Sequence, residues 1–359
     1  MTSDAATARR VVLRHHPEGA LQPSDFTIET GTIPTPAEGQ FLVRNRFVSV
    51  DPMLRLFVDR DPLGGGMPSM PVGTTIPGAA VGEIVASHHP DHAVGDLVEG
   101  RFGWQEYAVS NGAGVNRVDP RLGGPENALG IGGLPGFTAY VGLHAAGGIK
   151  PGETVLVSGA AGAVGSAVGG FVRARGGRAV GIAGGADKRR YLIEEAGYDA
   201  VADRHAPDFL DQLAKALPDG ANVYFDNVGG PMLADVVPLM ARGGLVLICG
   251  LMAQYQGDEG DGTDHLPAVL RAVMGKGVRI QSFTQFGQDA LRPAFQDELA
   301  GLVASGGIAS RVHIEDGLDR LPHALAGLFA HSVPGKVVVR VAPDTAAPAD
   351  STRTLQESE

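Results

Sequence analysis

Thr154-Val155-Leu156-Val157-Ser158 is a short apolar, β-branched run, and seven small residues follow it: Gly159-Ala160-Ala161-Gly162-Ala163-Val164-Gly165. Beyond them, apolar residues recur at helical spacing through Val168, Phe171 and Val172. A buried strand, a turn poor in side chains and a helix opening are the parts of a cradle for a dinucleotide pyrophosphate. The turn must bring backbone within van der Waals distance of the phosphates, an approach that side chains would block. The helix then points its first N–H groups, and the positive end of its dipole, at the phosphate oxygens. Gly162 and Gly165 keep the G-x-G-x-x-G spacing, while Ala160 stands at the first glycine. In a chain with 53 Gly some such spacing arises by chance, so the flanking elements must separate a cradle from a plain strand–turn–helix.

Those elements favour the cradle. Residues 178–183 read as the next strand at βαβ distance and run into Gly184-Gly185-Ala186-Asp187-Lys188-Arg189-Arg190. A cofactor with a free ribose 2′-hydroxyl is usually held by a carboxylate at the end of this second strand, about 20 residues past the glycines. Here glycines occupy the strand end, and three cations follow Asp187. Lys188 suits a phosphate on the 2′-oxygen, which a strand-end acid would repel. The pattern therefore predicts NADPH rather than NADH. As solvated residues alone, 188–190 would sit unfavourably at the positive end of a helix dipole, which fits an anionic partner.

The elements that position this site divide the chain in two. Residues 1–135 read as β-rich, with alternating stretches over 41–50, 82–86, 97–99 and 105–109 separated by Gly, Pro and Asp turns. From Leu134-Pro135-Gly136 the pattern becomes regular β-then-α, with strands expected near 200–202, 222–225, 245–249 and 278–283. The fold class expected is α/β, a Rossmann-type doubly wound parallel sheet plus a β-rich domain. Strands near 312–314 and 335–341 should return to the first domain, giving 1–135 with 312–342 as one unit and 136–311 as the dinucleotide-binding one. Residues 343–359 read as a disordered tail. The carboxyl ends Asp226-Asn227-Val228-Gly229-Gly230 and Gly250-Leu251-Met252-Ala253-Gln254-Tyr255 should wall the crevice where ligands bind. Two glycine-rich loops, 61–70 and 257–264, are candidates for a pocket rim and a lid.

Composition narrows the function class. The chain has 359 residues, 43% hydrophobic and 19% charged, which suits a globular two-domain protein. A net charge of −11 argues against nucleic acid or an anionic membrane as partner. No apolar run reaches the ~20 residues of a membrane span and the N-terminus lacks a signal-peptide pattern, so a cytoplasmic location is expected. Cys249 is the single cysteine, placed by its apolar neighbours in a strand; a thiolate zinc site with several cysteines cannot be built. The histidines of His88-His89-Pro90-Asp91-His92 read as a polar hairpin loop, not a metal site.

The chain resembles the zinc-independent medium-chain dehydrogenase/reductases, in the branch of prostaglandin, curcumin and plant double-bond reductases. The matching segments are Val48-Ser49-Val50-Asp51-Pro52, Gly103-Trp104-Gln105-Glu106-Tyr107, Leu134-Pro135-Gly136-Phe137-Thr138-Ala139-Tyr140 and the cradle. They continue with Gly181-Ile182-Ala183-Gly184-Gly185, Tyr224-Phe225-Asp226-Asn227-Val228-Gly229-Gly230, Cys249-Gly250-Leu251 and Gly335-Lys336-Val337-Val338. Where the zinc-dependent relatives carry a His-Glu pair, this chain has Pro77-Gly78-Ala79-Ala80, which implies catalysis without a metal.

The resemblance implies a GroES-like catalytic domain and an NADPH-dependent reduction of the C=C bond of α,β-unsaturated ketones or aldehydes. It further implies that Gly162, Ala163, Val164 and Gly165 hold the pyrophosphate and Lys188 the 2′-phosphate. Asn227, Cys249, Gly250, Leu251, Met252, Ala253, Phe283, Thr284 and Gln285 would line the nicotinamide side. Tyr255 is the candidate hydrogen-bond donor to the nicotinamide ribose or the enolate, and a phenol can do this without a perturbed carboxylate. Three departures from the branch stand out: Met53 where a tyrosine usually follows Asp-Pro, Arg204 at a frequent tyrosine position, and Val333 for an asparagine before the final Gly-Lys. Arg204 can add to the 2′-phosphate clamp. The alternatives are an NADPH:quinone oxidoreductase or a non-catalytic NADPH-binding module. Relatives form homodimers, often by joining sheet edges, and the same is expected here.

Overall fold

The structure is a computed structural model and describes residues 6–61, 69–255, 262–309, 311–330 and 333–342. The chain opens with an antiparallel hairpin, β1 (Thr7–Leu13) and β2 (Phe26–Thr32). Next come β3 (Phe41–Ser49), the short helix α1 (Leu54–Val58), β4 (Ala80–Ser87), β5 (Leu97–Gly100), β6 (Tyr107–Ser110) and β7 (Asn116–Arg117). Strands and helices then alternate: α2 (Leu134–Ala145), β8 (Thr154–Val157), α3 (Ala163–Ala174), β9 (Arg178–Ala183), α4 (Ala186–Glu194), β10 (Ala200–Asp203), α5 (Phe209–Ala216) and β11 (Ala221–Asp226). The alternation continues with α6 (Met232–Val236), β12 (Met240–Ile248), α7 (Leu266–Lys276), β13 (Arg279–Ser282) and α8 (Arg292–Ala304). Last are β14 (Val312–Asp316), α9 (Leu321–Ala330) and β15 (Lys336–Arg340).

Six strands form a parallel sheet in the order β10-β9-β8-β11-β12-β13, the doubly wound arrangement. Helices cover both faces, which is why its central strands are apolar without alternation: Val155, Leu156 and Val157 are all fully buried. Strand order reverses between β8 and β11, and the crevice beyond their carboxyl ends is where such sheets bind ligands.

The second sheet runs β14-β15-β3-β4-β5-β7, with β6 also paired to β3. Here β15 lies antiparallel to β3, matching Val338 to Ser49 and Val339 to Val48, so the two C-terminal strands complete a sheet begun near the N-terminus. Its core centres on Trp104, fully buried, whose indole N–H donates to the Ser49 carbonyl at 3.1 Å.

Two features differ from the expectations. The β1–β2 hairpin was not foreseen, because its outer half is polar: Arg9 and Arg10 face Glu106 and Glu29 at 2.8 and 2.7 Å, while Val11, Val12, Leu13 and Phe26 at the other end enter the core. Strand β12 starts at Met240 rather than 245, since a register shift opposite Ala221 lets the exposed Arg242-Gly243 stretch remain in the strand. The strand ends at Ile248, so Cys249 lies one residue past β12 instead of within it. Most of the 61–70 and 257–264 loops and all of 343–359 lie outside the described residues. The His89 and His92 rings pack on Phe41 in the β4–β5 connection, with ring centroids 5.8 and 4.7 Å away.

Candidate functional site

The cradle is built from β8, its turn and α3. Gly159 has φ +56°, a left-handed conformation that lets the chain reverse directly after the strand. Gly162 is the N-cap of α3, so the first-turn N–H groups of Ala163, Val164 and Gly165 have no partner within the helix and face the crevice end of the sheet. Gly165 is needed for close packing. A Cβ there would lie 2.5 Å from the Ala160 carbonyl oxygen and 2.6 Å from that of Gly159, both backbone atoms that cannot step aside. Two buried hydroxyls fix the same turn: Ser166 donates to the Gly162 carbonyl at 2.8 Å and Tyr198 to the Gly165 carbonyl at 2.7 Å. A backbone cradle closed to side chains, at a helix N-terminus free of acidic residues, fits a dinucleotide pyrophosphate. Gly165→Ala is accordingly expected to weaken NADPH binding about tenfold or more in a fluorescence titration, with the circular dichroism of the folded protein retained.

The clamp forms where β9 and β10 end. Gly185, φ +87°, turns the chain into α4, and its N–H donates to both carboxylate oxygens of Asp203 at 3.2 Å. Asp203 also accepts from the His205 N–H at 3.0 Å, and these backbone donors hold its carboxyl below the usual range. Its charge is thus spent on shaping the loop. Asp187 is engaged by Arg190 at 2.6 Å, on the exposed side of α4. Lys188 is half-buried, and burial together with the nearby Arg204 guanidinium pushes its pKa down. Two cations brought together in this way would suit a dianion. Gly184 gives it room, since a Cβ there would strike the His205 ring at 2.4 Å.

Asp226, fully buried at the end of β11, organises the next wall. Its Oδ1 accepts from Ser158 Oγ (2.6 Å), Tyr224 OH (2.9 Å) and the N–H groups of Val228 and Gly229 (both 3.0 Å). Its carbonyl accepts from the N–H groups of Cys249 (2.8 Å) and Gly250 (3.1 Å), which ties the end of β12 to it. Asn227 is pinned by its amide, donating to the Ser158 carbonyl at 2.8 Å. Gly250 packs against Asn227, a Cβ there falling 3.0 Å from the Asn227 carbonyl, and Ala253 N–H donates to Val228 O at 3.0 Å. Residues 226–230 and 249–255 are therefore one interlocked wall. Burial, and then the Asp226 charge, push the Cys249 thiol up to about 12, so it remains a neutral thiol and not a nucleophile.

Tyr255 folds back so that its hydroxyl accepts the Leu251 N–H at 3.4 Å. Burial raises its pKa; that backbone donor lowers it and Cys249 raises it again, with the net shift upward. The phenol thus keeps its proton across the neutral range and can donate it to a ligand. The Phe283 ring packs on Phe225 with centroids 5.8 Å apart and against Gly142, so this residue serves the core as much as the wall. Thr284 Oγ1 accepts the Phe286 N–H at 3.2 Å and shapes the loop after β13.

Sequence reasoning placed Asp226 in the crevice wall without its organising role, and passed over Ser158, Tyr198 and Lys336 as site residues, although Ser158 and Lys336 lie in quoted motifs. The signal available was a polar residue at the end of an apolar strand. Lys336 is almost fully buried and donates to the Val50 carbonyl and Asp51 Oδ1, both at 2.7 Å. Among the described residues, no group of three or more His, Cys, Asp or Glu is arranged to hold a metal ion.

A doubly wound sheet with a phosphate cradle and a cationic clamp, facing a second β-rich sheet, defines a dinucleotide-dependent oxidoreductase fold. The comparisons agree. Residues 9–118 match the profile described as the N-terminal domain of oxidoreductase, and 163–300 the one described as zinc-binding dehydrogenase. The chain is 40% identical over 339 residues to an NADPH-dependent curcumin reductase of Escherichia coli (strain K12), covering 94% of this chain and 97% of that protein. It is 32% identical to a 2-alkenal reductase (NADP(+)-dependent) of Nicotiana tabacum, covering 94% and 99%. The crystal structure of CurA from Vibrio vulnificus in complex with NADPH superposes with a TM-score of 0.87 at 34% identity, over 93% of this chain and 99% of that one. The chain belongs to the medium-chain dehydrogenase/reductase family, in its zinc-independent branch.

Proposed function

We infer that the protein is an NADPH-dependent reductase of the C=C bond in α,β-unsaturated ketones and aldehydes. The observation that carries this reading is the Lys188 and Arg204 pair beside the side-chain-poor cradle, in a chain whose 40% identical relative is an NADPH-dependent curcumin reductase. Bound NADPH supplies the hydride that adds to the substrate's β-carbon. The chain's own work is to hold both partners and to meet the negative charge that builds on the carbonyl oxygen. Ala163, Val164 and Gly165 present N–H groups to the pyrophosphate, Gly162 gives the close backbone approach at the N-cap, and Lys188 with Arg204 meets the 2′-phosphate. Asn227, residues 249–253 and residues 283–285 wall the nicotinamide side. Tyr255, its proton retained, donates to the charged oxygen. In this arrangement residues 136–311 bind the dinucleotide, while 1–135 with 312–342 supply the facing wall. A simple enone with NADPH is expected to consume the cofactor faster than a quinone does. A flat near-ultraviolet trace across a panel of enones would refute the reading.

The reading includes a cytoplasmic homodimer that acts on small molecules and binds neither nucleic acid nor membrane. No helix among the described residues is long and apolar enough to cross a membrane. Leu266, Leu270 and Met274 fall at i, i+4 and i+8 of α7 and are 59%, 53% and 83% exposed, and α7 leads directly into the edge strand β13, where Ile280 is also exposed. Such a stripe next to an open sheet edge suits a second copy of the chain. Met274→Asp combined with Ile280→Lys is expected to convert a sedimenting dimer to monomer; an unchanged sedimentation coefficient would place the contact elsewhere.

A further inference from the structure

Residues 335 and 336 are neighbours in the chain, yet they hold two different walls of the crevice. Gly335 N–H donates to the Ala161 carbonyl at 2.7 Å, and Gly335 bridges Gly162 in a parallel pairing, so its backbone grips the dinucleotide turn. The grip requires glycine: φ is +91°, and a Cβ would lie 2.1 Å from the Arg311 carbonyl oxygen. Lys336 turns the other way. Its Nζ donates to the Val50 carbonyl and to Asp51 Oδ1, both at 2.7 Å, while Ser49 Oγ donates to Asp51 Oδ2 at 2.5 Å. Lys336 and Asp51 side chains are 4% and 15% exposed. A buried ion pair is weak evidence for stability, because desolvation offsets the attraction; what it does well is to fix one geometry. Residues 50–53 lead into α1 through the Leu54 N–H bond to the Asp51 carbonyl, and lie one lysine length from the cradle.

We propose that Lys336 is a positioning residue for hydride transfer, a strap that sets residues 50–53 at a fixed separation from the dinucleotide turn. Filling the cradle braces Gly335, and the ammonium passes that constraint to the facing wall. The proposal rests on the reading of the chain as an NADPH-dependent reductase, but one arm of its test needs no turnover. Amide hydrogen exchange in 51–58 is followed with and without NADP⁺. In the unsubstituted protein NADP⁺ is expected to slow it about fivefold or more. Lys336→Met is expected to bind NADP⁺ nearly as well and to lose that slowing. In single-turnover reduction of an enone, the same variant transfers hydride about tenfold or more slowly, a loss in kcat with NADPH affinity kept. Equal slowing in both proteins, no slowing in the unsubstituted one, or loss of NADP⁺ affinity in step with the slowing would each overturn the proposal. Should Lys336→Met fail to fold, Asp51→Asn, which removes the charge the ammonium meets, decides: reduced slowing supports the strap and full slowing overturns it. An unsubstituted protein that shows the slowing yet reduces no enone would refute the assigned reaction and leave the strap standing.

Discussion

Replacing Lys188 with Ala is expected to raise the NADPH dissociation constant about tenfold or more and to leave that of NADH nearly unchanged. A charge-assisted hydrogen bond contributes about 1.5–3 kcal/mol, and about 1.4 kcal/mol is a factor of ten. Arg204→Ala should act in the same direction, and the double substitution more strongly than either. A pH dependence follows from the electrostatics. Burial and Arg204 lower the Lys188 pKa, so its ammonium is lost at a lower pH than that of a solvated lysine. The preference for NADPH over NADH should therefore be full at neutral pH and fall as pH rises through that lowered pKa. Removing Arg204 lifts the repulsion and moves the fall toward higher pH. Equal weakening of both cofactors by Lys188→Ala would show that the lysine supports the fold instead of reading the 2′-phosphate.

Tyr255→Phe should cut turnover about 10²-fold, the typical loss when one donor to a developing oxyanion is removed, with little change in cofactor affinity. The substitution keeps the ring, and so the packing of residues 249–255. It deletes only the hydroxyl that accepts the Leu251 N–H at 3.4 Å. Because the folded pKa is raised, the unsubstituted enzyme should not lose this donor as pH rises toward the ordinary phenol value. Unchanged turnover in Tyr255→Phe would remove the phenol from the mechanism and leave it a wall residue.

How far the sequence could be read depended on whether an interaction was local. The cradle was legible because its parts are consecutive: an apolar strand, small residues, then helical periodicity. The clamp was half legible. Lys188 lies in the same βαβ unit, and the structure adds that Asp187 is occupied by Arg190 and that Arg204 stands near Lys188. The doubly wound sheet followed from strict β–α alternation. The β1–β2 hairpin escaped because residues 7–10 of β1 are not buried and β2 is buried only at Phe26, so the period-two signal is broken. The Asp226 hub and the Lys336 strap were invisible for another reason. Ser158 meets Asp226 across 68 positions and Lys336 meets Asp51 across 285, and no spacing rule reaches that far. Each polar residue looked like the ordinary end or start of a strand. Only the folded chain shows the partners that burial brings to each.

The most direct test uses NADPH carrying deuterium at the transferable position of its nicotinamide, incubated with the protein and a simple enone. The saturated ketone should form with the label on its β-carbon, with one NADPH consumed for each product molecule. An allylic alcohol labelled at the former carbonyl carbon, or no label transfer at all, would contradict the assignment of this crevice to C=C reduction.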